Sequence, residues 1–546
     1  MKVKTILSIC LLATLIIQPA LCQTISDDLY KDLPFAMDKV KQPSFSSFQV
    51  NIKDFGAKND GITSNTKAFA SAIDAVVKKG GGTVIIPEGL WLTGPIILKS
   101  NVELRTEKGA LVLFTSNYDE YPMIKTWYEG QFCWRTTPPI YAADAENIAI
   151  TGEGVFDGNG TAWRPLKKFQ VNDILWKKIT SIGGVLTEDG QTWYPTEGAL
   201  KGSKSTIYPG LRTKEQSDSM KVFLRPVMVN FTSCKKILLS GVTFQNPPAW
   251  TLHPLLSQDI TINNVKVANQ EWMTNGDAID VESCKNVLIL NSTFDAGDDA
   301  ICIKSGRDEE GRKRGVPTEN VIVSNCIVYH GHGGFVVGSE MSGGARNMKV
   351  SHCTFMGTEV GLRFKSKRGR GGVVENIYIS DINMINIERE AILYDLYYSA
   401  AGKKTTTITE EPVNEGTPQF KDIYMKNIVC KGAERAIRMQ GLPEMNVKNI
   451  NLENAVIEAR TGVLCIDANQ INLKNVQVYT KTFPVVEINN AQNIMIDNFK
   501  CYENEGAIFT VSGAKTSNIS LLKSIKKAQD LSIDASVKQD AVKIKP

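Results

Sequence analysis

Beyond its first two dozen residues the sequence lacks any apolar run long enough to cross a bilayer as a helix, which takes about 20 residues. It lacks a CxxC pair and any Cys/His cluster, so nothing in its cysteines suggests zinc. It also lacks a strong charge of either sign. Sixty-two Lys+Arg against 58 Asp+Glu leave a net +4 over 546 residues, too little to argue for a nucleic-acid surface and compatible with an acidic ligand. Disorder is excluded as well, by 42% hydrophobic and 22% charged residues.

At the N-terminus, Lys2 and Lys4 precede an apolar core from Ile6 to Ile17, and Ala20-Leu21-Cys22 forms a small-residue cleavage pattern before Gln23. Residues 1–22 read as a signal peptide, so the mature protein is expected to be exported, to the periplasm or beyond. Leu21 stands where a lipid-anchor signal wants a small residue. Cleavage removes Cys10 and Cys22 and leaves nine of the 11 cysteines. Cys284, Cys326, Cys353, Cys430 and Cys501 sit in repeat segments among apolar residues and read as small buried hydrophobes.

What is present is a repeat. A polar lead-in (23–50) is followed by a strand from Val50 to Ala57. Ser64-Asn65 then opens a helix to about Lys79, with Phe69, Ile73, Val76 and Val77 on its apolar face, and the run Gly80-Gly81-Gly82 ends it. Asn147-Ile148 recurs as Lys236-Ile237, Asp259-Ile260, Asn286-Val287, Asn320-Val321, Asn347-Met348, Asn376-Ile377, Asp422-Ile423, Asn449-Ile450, Gln470-Ile471, Asn493-Ile494 and Asn518-Ile519. Each pair is followed by alternating apolar residues. Such a pattern describes coils of short strands with a polar turn residue at a fixed place. The expected fold is all-β: one right-handed parallel β-helix over 51–522, capped by the N-terminal helix. Insertions are expected at about 163–225 and 398–419. The first should carry a helix near Lys168–Ile179 and turns at Trp193-Tyr194-Pro195 and Tyr208-Pro209-Gly210. The Lys-rich tail, 523–546, reads as a solvated extension.

Chemistry gathers between Asn275 and Lys365, as Asn275-Gly276-Asp277, Gly297-Asp298-Asp299, Gly331-His332-Gly333 and Arg363-Phe364-Lys365. Counted from the repeat anchors, these groups fall at related places on four successive coils. Parallel strands stack about 4.8 Å apart. One face should therefore collect three carboxylates, an imidazole, a guanidinium and an ammonium. Crowded carboxylates raise the pKa of at least one of them, placing a proton donor beside ionised acceptors. Glycoside hydrolysis needs that arrangement. Arg363 and Lys365 suit a substrate carboxylate. Taken singly, each motif has a plain reading: Gly-Asp-Asp as a turn, Arg-x-Lys as a solvated strand, His332 as a structural histidine. Asp280, Glu282 and Asp295 read as turn or surface groups, and His253 as either groove-lining or structural.

The four motifs together resemble those of the polygalacturonase family of pectin-degrading glycoside hydrolases (glycoside hydrolase family 28), and the likeness runs from about Asn51 to Ser520. The resemblance implies inverting hydrolysis of α-1,4 bonds between galacturonates, without cofactor or metal. Asp298 would be the general acid, Asp277 and Asp299 would activate water, and His332 would tune or relay the acid's proton. Arg363 and Lys365 would hold the leaving-side galacturonate, with Asn275 on the substrate-binding side. Gly276 departs from the Thr usual in fungal members. The insertion at 163–225 resembles loops that close the groove of exo-acting bacterial members, so release of galacturonate is the expectation. Endo action or rhamnogalacturonan-type hydrolysis on the same fold are the alternatives. Rival classes are a β-helix lyase, whose unsaturated products absorb near ~235 nm after elimination rather than general acid catalysis, and a non-catalytic carbohydrate-binding solenoid. Oligomeric state is not encoded in these motifs.

Overall fold

The computed structural model describes residues 25–398, 409–502 and 506–545. The expected signal segment 1–22 and residues 399–408 of the expected 398–419 insertion lie outside them. The fold is a right-handed parallel β-helix. Each coil lays one strand on each of three faces, and in-register pairing carries each face from coil to coil.

Alternation and turn chemistry explain the coil. Ile148, Ile237, Ile260, Val287, Val321 and Met348 stand in register and point inward, each essentially inaccessible to solvent. Every such column buries an apolar side chain per coil, worth about 1.5–3 kcal/mol each. The residue before each inward anchor turns the corner with positive φ, as at Asn286 (57°), Asn320 (60°) and Asn347 (57°). Asparagine tolerates that conformation because its short polar side chain bonds locally. The stacked side chains also form a ladder: Asn320 Nδ2 donates to Asn286 Oδ1 (3.1 Å) and Asn347 Nδ2 to Asn320 Oδ1 (3.2 Å). A second ladder, not anticipated, runs through Asn427, Asn454, Asn475 and Asn498 at the next corner.

The N-terminal cap is the helix Thr66–Lys78. Phe69, Ile73 and Val76 enter the core as expected, but Val77 faces out at 37% exposure. Asn65 precedes the helix without capping it. Its side chain instead ties Lys58 and Leu92 of the neighbouring loops. At the other end the Lys-rich tail is not a solvated extension. Leu531–Ile533 pairs with Phe509–Val511, and Val542–Lys545 with Ile519–Leu522, adding a last coil. Its lysines serve as the charged edge that an exposed final strand needs.

The polar lead-in is an apolar strap. Ile25, Leu29, Tyr30, Leu33, Met37 and Val40 pack on Leu288, Leu290 and Ile322, which face outward from the coils. Gln42 Nε2 donates to Thr261 Oγ1 (2.7 Å), and Ser46 Oγ to the Gly81 carbonyl (2.6 Å). The strap therefore runs back along the solenoid toward its N-terminal end. A chain lacking residues 1–43 is expected to melt a few degrees lower than one lacking only residues 1–22, because it exposes this apolar stripe. An unchanged Tm by calorimetry would show that the strap adds no stability.

The nine described cysteines carry free thiols, and all are buried except the partly exposed Cys501. Cys284, Cys326, Cys353 and Cys430 fill the core as the sequence indicated, and Cys501 packs against its edge.

Candidate active site

Six strands make one continuous face: Val229–Thr232, Leu252–Leu255, Ile279–Glu282, Asp299–Lys304, Gly333–Gly338 and Leu362–Lys365. Register sets Asp299 beside Gly333, Val336 beside Arg363 and Gly338 beside Lys365. The four motifs meet there from consecutive coils. Carboxylate oxygens of Asp277, Asp298 and Asp299 lie within 4.8 Å of one another. His332 Nδ1 is 3.0 Å from Asp298 Oδ1. Lys365 Nζ donates to Asp299 Oδ2 at 2.7 Å, while Arg363 Nη1 is 3.5 Å from Asp299 Oδ1 and donates to the His332 carbonyl at 2.8 Å.

The turn that presents Asp277 explains its glycine. A Cβ on Gly276 would stand 2.8 Å from the Met273 carbonyl oxygen, and one on Gly297 2.3 Å from the same atom. The two motifs close around one carbonyl, and a larger residue would push them apart. Asn275 has positive φ (55°), and its Oδ1 accepts a hydrogen bond from Arg225 Nη2 (2.8 Å).

The three acids differ in ionisation because their neighbours differ. Burial, then Asp298 and Asp280, push Asp277 well above the usual carboxylate range. Burial also penalises Asp298, but the hydrogen bond and charge of His332 outweigh it and hold Asp298 well below that range. Burial and Asp298 raise Asp299, yet Lys365 and Arg363 keep it low. His332, despite partial burial, is drawn upward by Asp298. Of the three acids, Asp277 therefore has the highest proton affinity, and it stands beside the hydrogen-bonded His332–Asp298 pair. Three carboxylates this close could bridge a divalent cation. Here Lys365 already bonds Asp299 and His332 bonds Asp298, so two of the three acids have partners of their own.

Several site groups went unread in the sequence. Asp280 and Glu282, taken as turn or surface groups, are fully buried on the groove floor. Lys304 Nζ lies 3.4 Å from Asp280 and 3.2 Å from Glu340. Burial followed by Asp299 raises Asp280 to about 7 against the pull of Lys304. Glu282 joins His253 Nε2 (3.0 Å) and Arg314 (2.6 Å), so His253 is a structural histidine. Asp295 pairs with His330 at 2.8 Å. Glu359, four residues before Arg363, lies 3.5 Å from His332 Nε2.

Toward the N-terminal coils the groove is walled. The hairpin Met123–Tyr128/Gln131–Thr136 stands over it. Its Glu129-Gly130 turn has both residues at positive φ, and so matches the twist of the two strands. Lys304 Nζ, Trp250, Tyr128 and Arg135 form one stack, at 4.4, 4.8 and 3.6 Å. A short helix, Asp308–Arg314, buttresses the hairpin: Glu310 Oε2 accepts from the Phe132 N–H at 3.0 Å, and Glu310 Oε1 from the Tyr208 hydroxyl at 3.3 Å. The 163–225 insertion supplies the rest of the wall. The expected helix is Asp173–Thr180, and Glu197–Ser203 and Lys214–Asp218 are two more. Trp193-Tyr194, expected as a turn, lies in the central strand of a three-stranded sheet, because Trp193 has an apolar pocket with Leu166, Trp176 and Ile179 to fill. Toward the later coils the groove opens past His332, Glu359 and Glu388.

A family model described as glycosyl hydrolases family 28 matches residues 175–462. A second, rhamnogalacturonase A/epimerase, pectate lyase-like, matches 49–110. The chain belongs to glycosyl hydrolases family 28. Among solved structures it is 34% identical to a hyperthermoactive exopolygalacturonase from Thermotoga maritima, covering 81% of this chain and 94% of that one, with a TM-score of 0.65. A family 28 exopolygalacturonase from Yersinia enterocolitica shares the fold at 22% identity and TM-score 0.62, covering 86% of this chain and 78% of that one. The exo-poly-alpha-D-galacturonosidase of Dickeya chrysanthemi is 28% identical over 72% of this chain, and the match spans 64% of that relative's length.

Proposed function

We propose that this chain is an exported, exo-acting hydrolase of α-1,4-galacturonosidic bonds in pectin, releasing galacturonate from homogalacturonan or oligogalacturonides. The reading rests on one observation: three carboxylates within 4.8 Å, one bonded to an imidazole and one to an ammonium, at the walled end of a groove. The names of the relatives above support the substrate.

In the reaction, Arg363 and Lys365 take the leaving-side sugar's carboxylate. That added negative charge raises the neighbouring carboxyls. The proton shared across the 3.0 Å His332–Asp298 contact passes to Asp298, which delivers it to the leaving glycosidic oxygen. Asp277 and Asp299 hold a water and take its proton as its oxygen bonds the anomeric carbon on the opposite face. Asp277, with its raised proton affinity, is the stronger base once ionised. The carboxylate oxygens stand closer than the ~6.5–9.5 Å separation of ordinary inverting pairs. Here two acids share the water and the third stands alone as donor, so inversion is retained in the reading.

Product analysis tests all of this at once. Polygalacturonate should yield galacturonate monomer from the first sample, appearing first as the β anomer by NMR, without the absorbance of unsaturated uronides. Oligomers before monomer would overturn exo action, α product would overturn inversion, and unsaturated product would overturn hydrolysis itself.

A further inference from the structure

Arg164 and Arg225 stand near the two ends of the long insertion, where the chain leaves the solenoid and returns to it. Arg164 is 2% exposed. Its Nε and Nη2 donate to the Pro247 carbonyl (2.9 and 2.7 Å), Nη2 also to Ala249 (2.8 Å), and Nη1 to the Thr274 carbonyl. Arg225 Nη1 donates to the carbonyls of Pro248 and Thr274 (both 3.2 Å), and Nη2 to Asn275 Oδ1 (2.8 Å). Both guanidiniums thus converge on Thr274, three residues before Asp277. The insertion grips the same turn twice more. Gln170 Nε2 reaches Thr274 Oγ1 (3.4 Å), and Trp272 packs on Leu166, Trp176, Ile179 and Trp193.

Neither arginine forms an ion pair with a carboxylate among the described residues. Burying one of these like charges fully and the other in part, with only carbonyl partners, is costly. Burial and Arg225 press down on the proton affinity of Arg164. With its N–H groups given to carbonyls it stays a guanidinium. A fold that only needed to close this wall had apolar residues available, as the adjoining tryptophan cluster shows.

We propose that Arg164 and Arg225 are positioning residues for Asp277: they lock the Thr274–Asn275 turn that delivers this carboxylate into the groove, and set positive charge behind it. The inference rests on the reading of Asp277 as a base. The wall that closes the groove and the part that aims the base are then one insertion.

The groups facing Asp277 are Asp298, Asp280, Asp299 and Lys304, together with Arg164, Arg225 and Tyr128. The acids raise it, and the three cations oppose them. Removing the Arg225 charge therefore raises Asp277 further, so the base form requires higher pH. In the full mature chain, Arg225→Met is expected to move the acidic limb of kcat/KM upward by about 0.5–1 pH unit, and to lower kcat about 10–100-fold at little change in KM. Arg225→Lys keeps the charge but not the fork. It should restore the limb while kcat stays low. Asn275→Ala, which removes one end of the tether and no charge, should lower kcat with the limb unmoved. A wild-type limb and kcat in Arg225→Met, equal profiles for the Met and Lys variants, or wild-type kcat in Asn275→Ala would each overturn the inference. If Arg225→Met does not fold, the Lys and Asn275→Ala results decide. An inactive wild type, or full turnover in Asp277→Asn, would instead sink the underlying reading of the site.

Discussion

Asp298→Asn is expected to lose about 10³–10⁴-fold in turnover while binding oligogalacturonide nearly as well as the native chain. The amide can still accept the Asp299 N–H, a 2.9 Å bond to Asp298 Oδ1 in the native site, so the local turn survives. It cannot donate a proton to a departing sugar oxygen. It also removes the carboxylate that draws His332 upward, and the imidazole should titrate lower in the variant. Rate and binding are measured separately, by reducing-sugar release and by calorimetry with a galacturonate oligomer. Turnover within tenfold of native would refute the acid role of Asp298. Lost binding with normal turnover per bound substrate would move Asp298 to the substrate-holding set.

Lys365→Met should act on stability and activity together. The lysine is about 5% exposed and its ammonium lies 2.7 Å from a buried Asp299 oxygen. Breaking a buried pair strands a charge at a cost of about 3–5 kcal/mol. In the native chain Asp299 sits below the ordinary aspartate range. It stabilises the fold above that range, and the contribution is lost as pH falls through its lowered value. Without Lys365 its folded pKa rises. The variant's deficit should then be full at neutral pH and shrink under acid conditions, where Asp299 takes up a proton. Denaturation at several pH values reads this directly, and a deficit independent of pH would contradict it. A protonated Asp299 cannot help activate water, and the substrate carboxylate loses a partner, so kcat/KM should fall about 10³-fold. Methyl-esterified oligomers should lose far less. Equal losses on both substrates would mean that Lys365 does not read the carboxylate.

The repeat was legible because its physics is local. An asparagine-like residue before an aliphatic one, followed by alternation, specifies a left-handed corner and an inward column without knowledge of any other coil. The anchors also gave a coordinate, and Asp277, Asp298, Asp299, His332, Arg363 and Lys365 met where that coordinate placed them. Asp280 and Glu282, read as turn or surface groups, do face outward from their strand, but that side is roofed and both are buried. The roof is the hairpin Met123–Thr136 and the Trp250 stack, far away in sequence and joined to the floor through Lys304 and Arg314. The hairpin's Glu129-Gly130 turn carries a weaker sequence signal than Asn-Gly or Asp-Gly would. The C-terminal coil was misread for a related reason: lysines alternating with apolar residues look solvated until an unpaired strand edge is seen beneath them.

By itself, the sequence determined the coil, the direction of stacking and which polar groups gather at the site, since each follows from short-range preference repeated at a near-constant interval. Only the tertiary structure decided how the proton affinities of the three acids differ, which end of the groove is closed, and what holds the turn before Asp277. Those depend on burial and on charges such as Lys304, Arg164 and Arg225, whose distances to the site are set by the folded chain.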